Sequence, residues 1–173
     1  MTEIPDEETC LKLLKKVGCS ENVISHCQVV STLAVKMAKK AQADVDMVRA
    51  GALLHDIGRS KSHGIDHAVK GAKIAQDLGL PKSIIHIIER HIGAGLSPDD
   101  AIRFHLPKKD YRPQTLEEKI VCHADSLIGN STRRTIEEKI EKVLLKNQKE
   151  YALKLIRLHK ELSDICGIDL NHI

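Results

Sequence analysis

The sequence predicts an all-α protein, a single helical bundle, on three observations. Apolar residues recur at spacings of three and four through most of the chain, as one face of a helix requires. Ser, Thr and Asp stand before these runs and Gly after several of them, where helices start and stop. No segment shows the apolar–polar alternation that marks a half-buried strand, so no strand is expected.

Taken in order, Leu11, Leu13, Leu14 and Val17 predict a short first helix ending at Gly18. Ser20 caps a second, whose inner face carries Val23, His26, Cys27, Val30, Ala34 and Met37. Asp44 caps a third, with Val45, Val48, Ala52 and His55 on one face and Gly58 as its expected stop. The polar stretch Arg59–Gly64 reads as a loop. A fourth helix over about 66–78 aligns His67, Gly71, Ile74, Ala75 and Leu78. Pro81 starts a fifth in the favoured first-turn position, with Ile84, Ile88, His91 and Ile92 together. Ser97-Pro98-Asp99-Asp100 opens a sixth, and Leu106–Pro113 is irregular. Thr115-Leu116-Glu117-Glu118 has the form of a capping box, opening a helix with Val121, Ala124, Asp125 and Ile128 on one face. After Thr135 come two apolar stripes, Ile136–Leu144 and Tyr151–Leu162, separated by a polar break. They are one bent helix or two.

Composition narrows the function. The chain has 173 residues and a formal net charge of +3, too weak an excess to argue for nucleic acid. Phe, Tyr and Trp together make only 2%, which also argues against a base-stacking RNA surface. The five cysteines are scattered and form no CxxC pair, so neither a zinc knuckle nor a disulfide framework is expected. With no signal peptide and no apolar run near 18 residues, the expectation is a cytoplasmic protein without a membrane partner.

Against that background, His26, His55, His67, His91 and Asp125 all fall on apolar helix faces, and Asp56 adjoins His55. One histidine on such a face is ordinarily a hydrogen-bonded core residue. A carboxylate buried alone costs several kcal/mol. Five separate helices sharing the pattern predict one common solution, a metal held by imidazole and carboxylate.

His26, the pair His55-Asp56 and Asp125, each on its own helix, resemble the H…HD…D signature of the HD-domain superfamily of metal-dependent phosphohydrolases. The tract His55-Asp56-Ile57-Gly58 is that superfamily's usual form. The resemblance spans about 20–130 and implies one HD-type domain over 1–173, with C-terminal helices at about 135–165 packed on it. It implies His26, His55, Asp56 and Asp125 as ligands of a first metal. His67, in Asp66–Ala72, resembles the second histidine motif of binuclear members, and His91 the third; in such members Asp56 bridges two ions. The GYP sequence of cyclic-di-GMP phosphodiesterases is absent, Gly93–Leu96 standing near its place, so that substrate is not implied. Arg59 stands where many relatives carry Lys.

The implied activity is hydrolysis of a phosphate ester in a nucleotide or related small anionic molecule. A divalent ion lowers the pKa of bound water from about 15.7 toward 7. Mixed His and carboxylate ligands suit Mn, Fe, Co, Ni or Zn, as one ion or two. Asp56, Arg59 and Lys61 are the expected catalytic residues, with Arg59 and Lys61 contacting the phosphate; Lys70, Arg90 and the Arg133-Arg134 pair are weaker candidates. His63, His86, His105 and His123 are left out of the site. Two other readings are an HD-fold di-iron oxygenase and a non-catalytic nucleotide-sensing module. A spare apolar face on the C-terminal segment would suit a homodimer.

Overall fold

The structure, a computed structural model, describes residues 3–173. Its helices are α1 (Glu7–Lys16), α2 (Glu21–Ala41), α3 (Val45–Leu54), α4 (His67–Asp77), α5 (Lys82–Glu89), α6 (Pro98–Arg103), α7 (Leu116–Ser126), α8 (Ile136–Leu145) and α9 (Lys149–Cys166). The fold is thus predominantly helical, as expected, and the C-terminal segment is two helices. Short 3-10 turns cover Ile57–Ser60, Ile92–Ala94 and Leu170–His172. No helix among the described residues is long and apolar enough to cross a membrane.

Helix starts follow the capping chemistry. Ser20, Asp44, Ser97, Thr115 and Thr135 each accept a hydrogen bond from a backbone N–H in the first turn. Ser97 and Thr135 complete reciprocal capping boxes, with Asp100 and Glu138 reaching back. At Thr115 the expected box is half made. Glu118 turns instead to the Gln114 N–H at 2.7 Å and to Arg90, whose Nη1 donates to both its oxygens at 2.9 and 3.0 Å. A buried guanidinium is a stronger claim on that carboxylate than one more orphan amide.

Two expectations are corrected. Strands are present, though minimal: β1 (Ile128–Gly129) and β2 (Thr132–Arg133) pair antiparallel, and Leu96 bridges Tyr111. Two-residue strands leave no room for an alternating pattern, so the sequence carries no trace of them. Gly58 does not stop α3, which ends at Leu54. It lies within the 3-10 turn, where a Cβ would stand 1.8 Å from the His67 carbonyl oxygen and 2.6 Å from the Gly71 nitrogen. Glycine is needed there because two backbones touch.

The core is one apolar cluster. Leu14, Met37, Leu54, Ile84, Ile88, Ile120, Leu155 and Leu162 are fully buried in it, from α1–α3, α5, α7 and α9. With almost no aromatics, Leu, Ile, Val and Ala fill the space. A smaller cluster of Leu96, Ala101, Leu106 and Tyr111 stands beside it, under the α6 segment. Between them these two clusters fix the ends of α2, α3, α4, α5 and α7, where the polar residues converge.

Candidate metal centre

His26 comes from α2, His55 and Asp56 from the end of α3, His67 from the first turn of α4, His91 from just past α5, and Asp125 from α7. All six line or adjoin one cavity of about 640 Å³, His55 lying fully buried at its base. His26 Nε2 is 3.0 Å from Asp125 Oδ1, and His55 Nε2 is 3.4 Å from the same oxygen. Asp56 divides its carboxylate. Oδ1 is 3.0 Å from His67 Nε2 and 3.5 Å from His91 Nε2, while Oδ2 is 3.6 Å from His55 Nε2 and 3.9 Å from His26 Nε2. The ligand atoms of His26, His55 and Asp125 lie within 4.8 Å of one another, as do those of His55, Asp56 and His91.

Backbone carbonyls orient every ring. Nδ1 of His55 faces the Ala52 carbonyl at 2.7 Å, that of His67 the Gly64 carbonyl at 2.8 Å, and that of His91 the Ile88 carbonyl at 2.7 Å. His26 Nδ1 meets the carbonyl of Asn130, at the tip of the β1–β2 hairpin. A carbonyl only accepts, so each Nδ1 carries a proton and each Nε2 is the nitrogen left to face the cavity. His67 Nε2 and His91 Nε2 then face each other at 3.0 Å, two acceptors with no hydrogen between them. His55 Nε2 is buried without any hydrogen-bond partner. Acceptors crowded together and left unsatisfied in a dry site fit a cation in their midst. The donor set, neutral imidazole and carboxylate, fits a divalent transition metal.

The electrostatics agree. Burial alone would raise Asp56 and Asp125, but the surrounding histidines, His55 foremost, hold both well below the usual carboxylate range. Both are therefore ionised at neutral pH. Burial opposes a charge on His55, yet Asp56, Cys27 and Asp125 together carry its pKa well above the ordinary value, so with no cation present a proton takes the place on Nε2 that a metal would claim. Burial lowers His91.

The cations expected around the site separate. Arg59 lines the cavity, its Nε 3.4 Å from Asp56 Oδ1 and its Nη1 donating to the His63 carbonyl at 2.7 Å. Lys61 is exposed and does not line the cavity, because it follows the 3-10 turn rather than completing it. Lys70 pairs with Asp66 at 2.7 Å, Arg90 with Glu118, and Arg133 donates to the Leu170 carbonyl. These are structural roles. His63, left out from sequence, does line the cavity, as do Asn22, Ser25, Asn130 and Ser131. Its place in the loop beside Arg59 was the available signal. His86 and His105 do not line it, and neither does His123, whose Nε2 bonds to His159 Nδ1 at 2.9 Å.

Comparison with known proteins places this arrangement. The HD domain family model matches residues 23–130, and the chain belongs to the HD-domain family. It is 44% identical over 170 residues to a tRNA (cytidine(56)-2'-O)-methyltransferase of Thermoplasma volcanium, a match covering 98% of this chain and 50% of that protein. The chain thus spans half the length of that relative. An uncharacterized protein of Methanocaldococcus jannaschii is 47% identical over 166 residues, covering 91% of this chain and 97% of that one. Among solved structures, the L. monocytogenes phosphodiesterase PgpH HD domain in complex with cyclic-di-AMP shares the fold, with a TM-score of 0.59 at 22% identity, over 89% of this chain and 96% of that chain.

Proposed function

We propose that the protein is a metal-dependent phosphohydrolase acting on a phosphate ester of a nucleotide or a related small molecule. The observation that carries this is the set of inward Nε2 lone pairs, three of them beyond reach of any donor but a cation or an added proton. His26, His55 and Asp125 would hold one ion, His67 and His91 a second, with Asp56 offering one oxygen to each set. When bound, a divalent ion supplies the positive charge that acidifies water and shields phosphoryl oxygens. The ionised carboxylates of Asp56 and Asp125 supply the negative charge that a cation would meet. Arg59, pinned by Asp56 and the His63 carbonyl, has donors left over for a phosphate oxygen in a forked geometry. Asn22, Ser25 and Ser131 supply polar groups around the rim.

Support also comes from the HD-domain phosphodiesterase that binds a cyclic dinucleotide in the shared fold. The methyltransferase relative carries a matching segment within an enzyme named for tRNA, so RNA belongs among the substrates tried. The test is a panel of nucleoside monophosphates, cyclic dinucleotides, bis(p-nitrophenyl) phosphate and a short RNA, with manganese, iron, cobalt, nickel and zinc in turn. Turnover that chelation stops and one of these metals restores is the expected result. No turnover of any of them by protein retaining stoichiometric metal would overturn the proposal.

A further inference from the structure

A second cavity, of about 620 Å³, opens beside the metal centre and shares Ile92 and Gly93 with it. The two differ in character. The first is lined by histidines, carboxylates, asparagines and serines; the second by Ile65, Leu96, Phe104 and Tyr151, with amides from Asn147 and Gln148 and charged residues of both signs. The whole chain has one Phe and two Tyr, and two of these three rings stand in this one cavity. Phe104 is 38% exposed, so its ring is open to a ligand in this cavity. Tyr151 is held by the core on one side and by Lys139, whose Nζ is 5.6 Å from the ring centroid. Its ring stands close to the shared Gly93, where a Cβ would lie 3.9 Å from Tyr151 Cε2.

We infer that this second cavity binds the nucleobase of the substrate while its phosphate lies in the metal cavity, Gly93 being the threshold between them. The inference rests on the phosphohydrolase reading for the identity of the phosphate end. An apolar pocket with a few convergent amides is the ordinary form of a site for a flat, partly polar ring. The exposed Phe104 ring offers stacking to any base, the half-buried Tyr151 lines the wall beside it, and Asn147 and Gln148 offer both donors and acceptors to a base edge. The charged rim is of mixed sign, Arg103 lying 3.8 Å from Asp100 and 4.0 Å from Glu150, as suits a neutral base better than a second phosphate. Sugar phosphates without a base would leave the cavity unused.

The test is calorimetric titration of the manganese-loaded protein with AMP, GMP, CMP, UMP and ribose 5-phosphate. At least one nucleotide should bind about tenfold or more tightly than ribose 5-phosphate, the gain expected of one stacked base. Phe104→Ala, at an exposed position, should collapse that ratio while metal content is retained; Tyr151→Leu should do so independently. Equal affinity for all five ligands, or a ratio that survives both substitutions, overturns the inference. The two proposals fail separately. Base-dependent affinity without turnover would sink the hydrolase and keep the subsite, and turnover without base-dependent affinity would do the reverse.

Discussion

The protein contains two groups of buried histidines, and they are built on opposite plans. At the metal centre, His55, His67 and His91 each spend Nδ1 on a carbonyl three residues earlier and point Nε2 at Asp56, which His55 shares with Asp125. In the second group, His123 Nε2 bonds to His159 Nδ1 at 2.9 Å, and His159 Nε2 bonds to Asp169 at 3.1 Å. There the rings bond to each other and to one exposed carboxylate, leaving His123 Nδ1 buried without a partner and with no carboxylate beside it. The electrostatics part accordingly. Asp56 and Asp125 help drive His55 upward, whereas burial beside His159 and Arg133 pushes His123 down to about 3. A set of histidines becomes a metal site when anchors outside the set fix the protons and carboxylates inside it supply the charge. Ring count alone decides nothing.

Four substitutions break or sharpen that contrast. His55→Ala removes the one Nε2 with no alternative partner, and metal retention and metal-dependent turnover should both fall to background, read by elemental analysis and the phosphoester panel. Gly58→Ala replaces no candidate ligand, yet its Cβ would collide with the His67 main chain and drive α4 and His67 away from Asp56. It should cost about 1–3 kcal/mol or more in urea denaturation and lower metal content as well. His123→Phe leaves His159 Nδ1 without its partner; a loss of about 1–3 kcal/mol with metal content unchanged is expected. A fall in metal content there would erase the distinction between the two groups.

The smallest effect belongs to Asp169→Asn. The Asn171 N–H, then His159, hold the Asp169 carboxyl below its ordinary value of 3.8. A carboxyl depressed in the folded state stabilises above that value and loses its contribution as pH falls below it. Asp169 is largely exposed, so the contribution is screened to about 0.5 kcal/mol. Thermal unfolding of the variant should match the parent below that pH and fall slightly short of it at neutrality. An equal difference at both pH values would leave the ion pair without a role.

Much of this was legible in the sequence because helices announce themselves twice, by period and by cap. Ser20, Asp44 and Thr135 marked true starts; the inward residues His26, His67, His91 and Asp125 line one cavity, and His55 lies buried against their ligand atoms. What stayed hidden depends on contacts between distant segments. Glu118 looked like a capping residue until Arg90, 28 positions away, took it. Lys61 looked like a phosphate ligand because it is near in sequence, but one residue of turn geometry carries it outward. Gly58 looked like a stop because nothing local reveals the backbone of α4 against it. Tyr151 gave no sign of approaching Gly93, since the approach depends on how α9 crosses the Ile92–Ala94 turn.

The carbonyls that hold the four imidazoles have one more consequence. Ala52, Gly64, Ile88 and Asn130 supply these anchors through the main chain, so replacing their side chains cannot delete an anchor. In many zinc enzymes that duty falls to a carboxylate whose loss weakens affinity about 10–100-fold. Here the proton inventory of the site is written into chain path instead of residue identity, and it should tolerate sequence drift at those four positions as long as the local trace is kept.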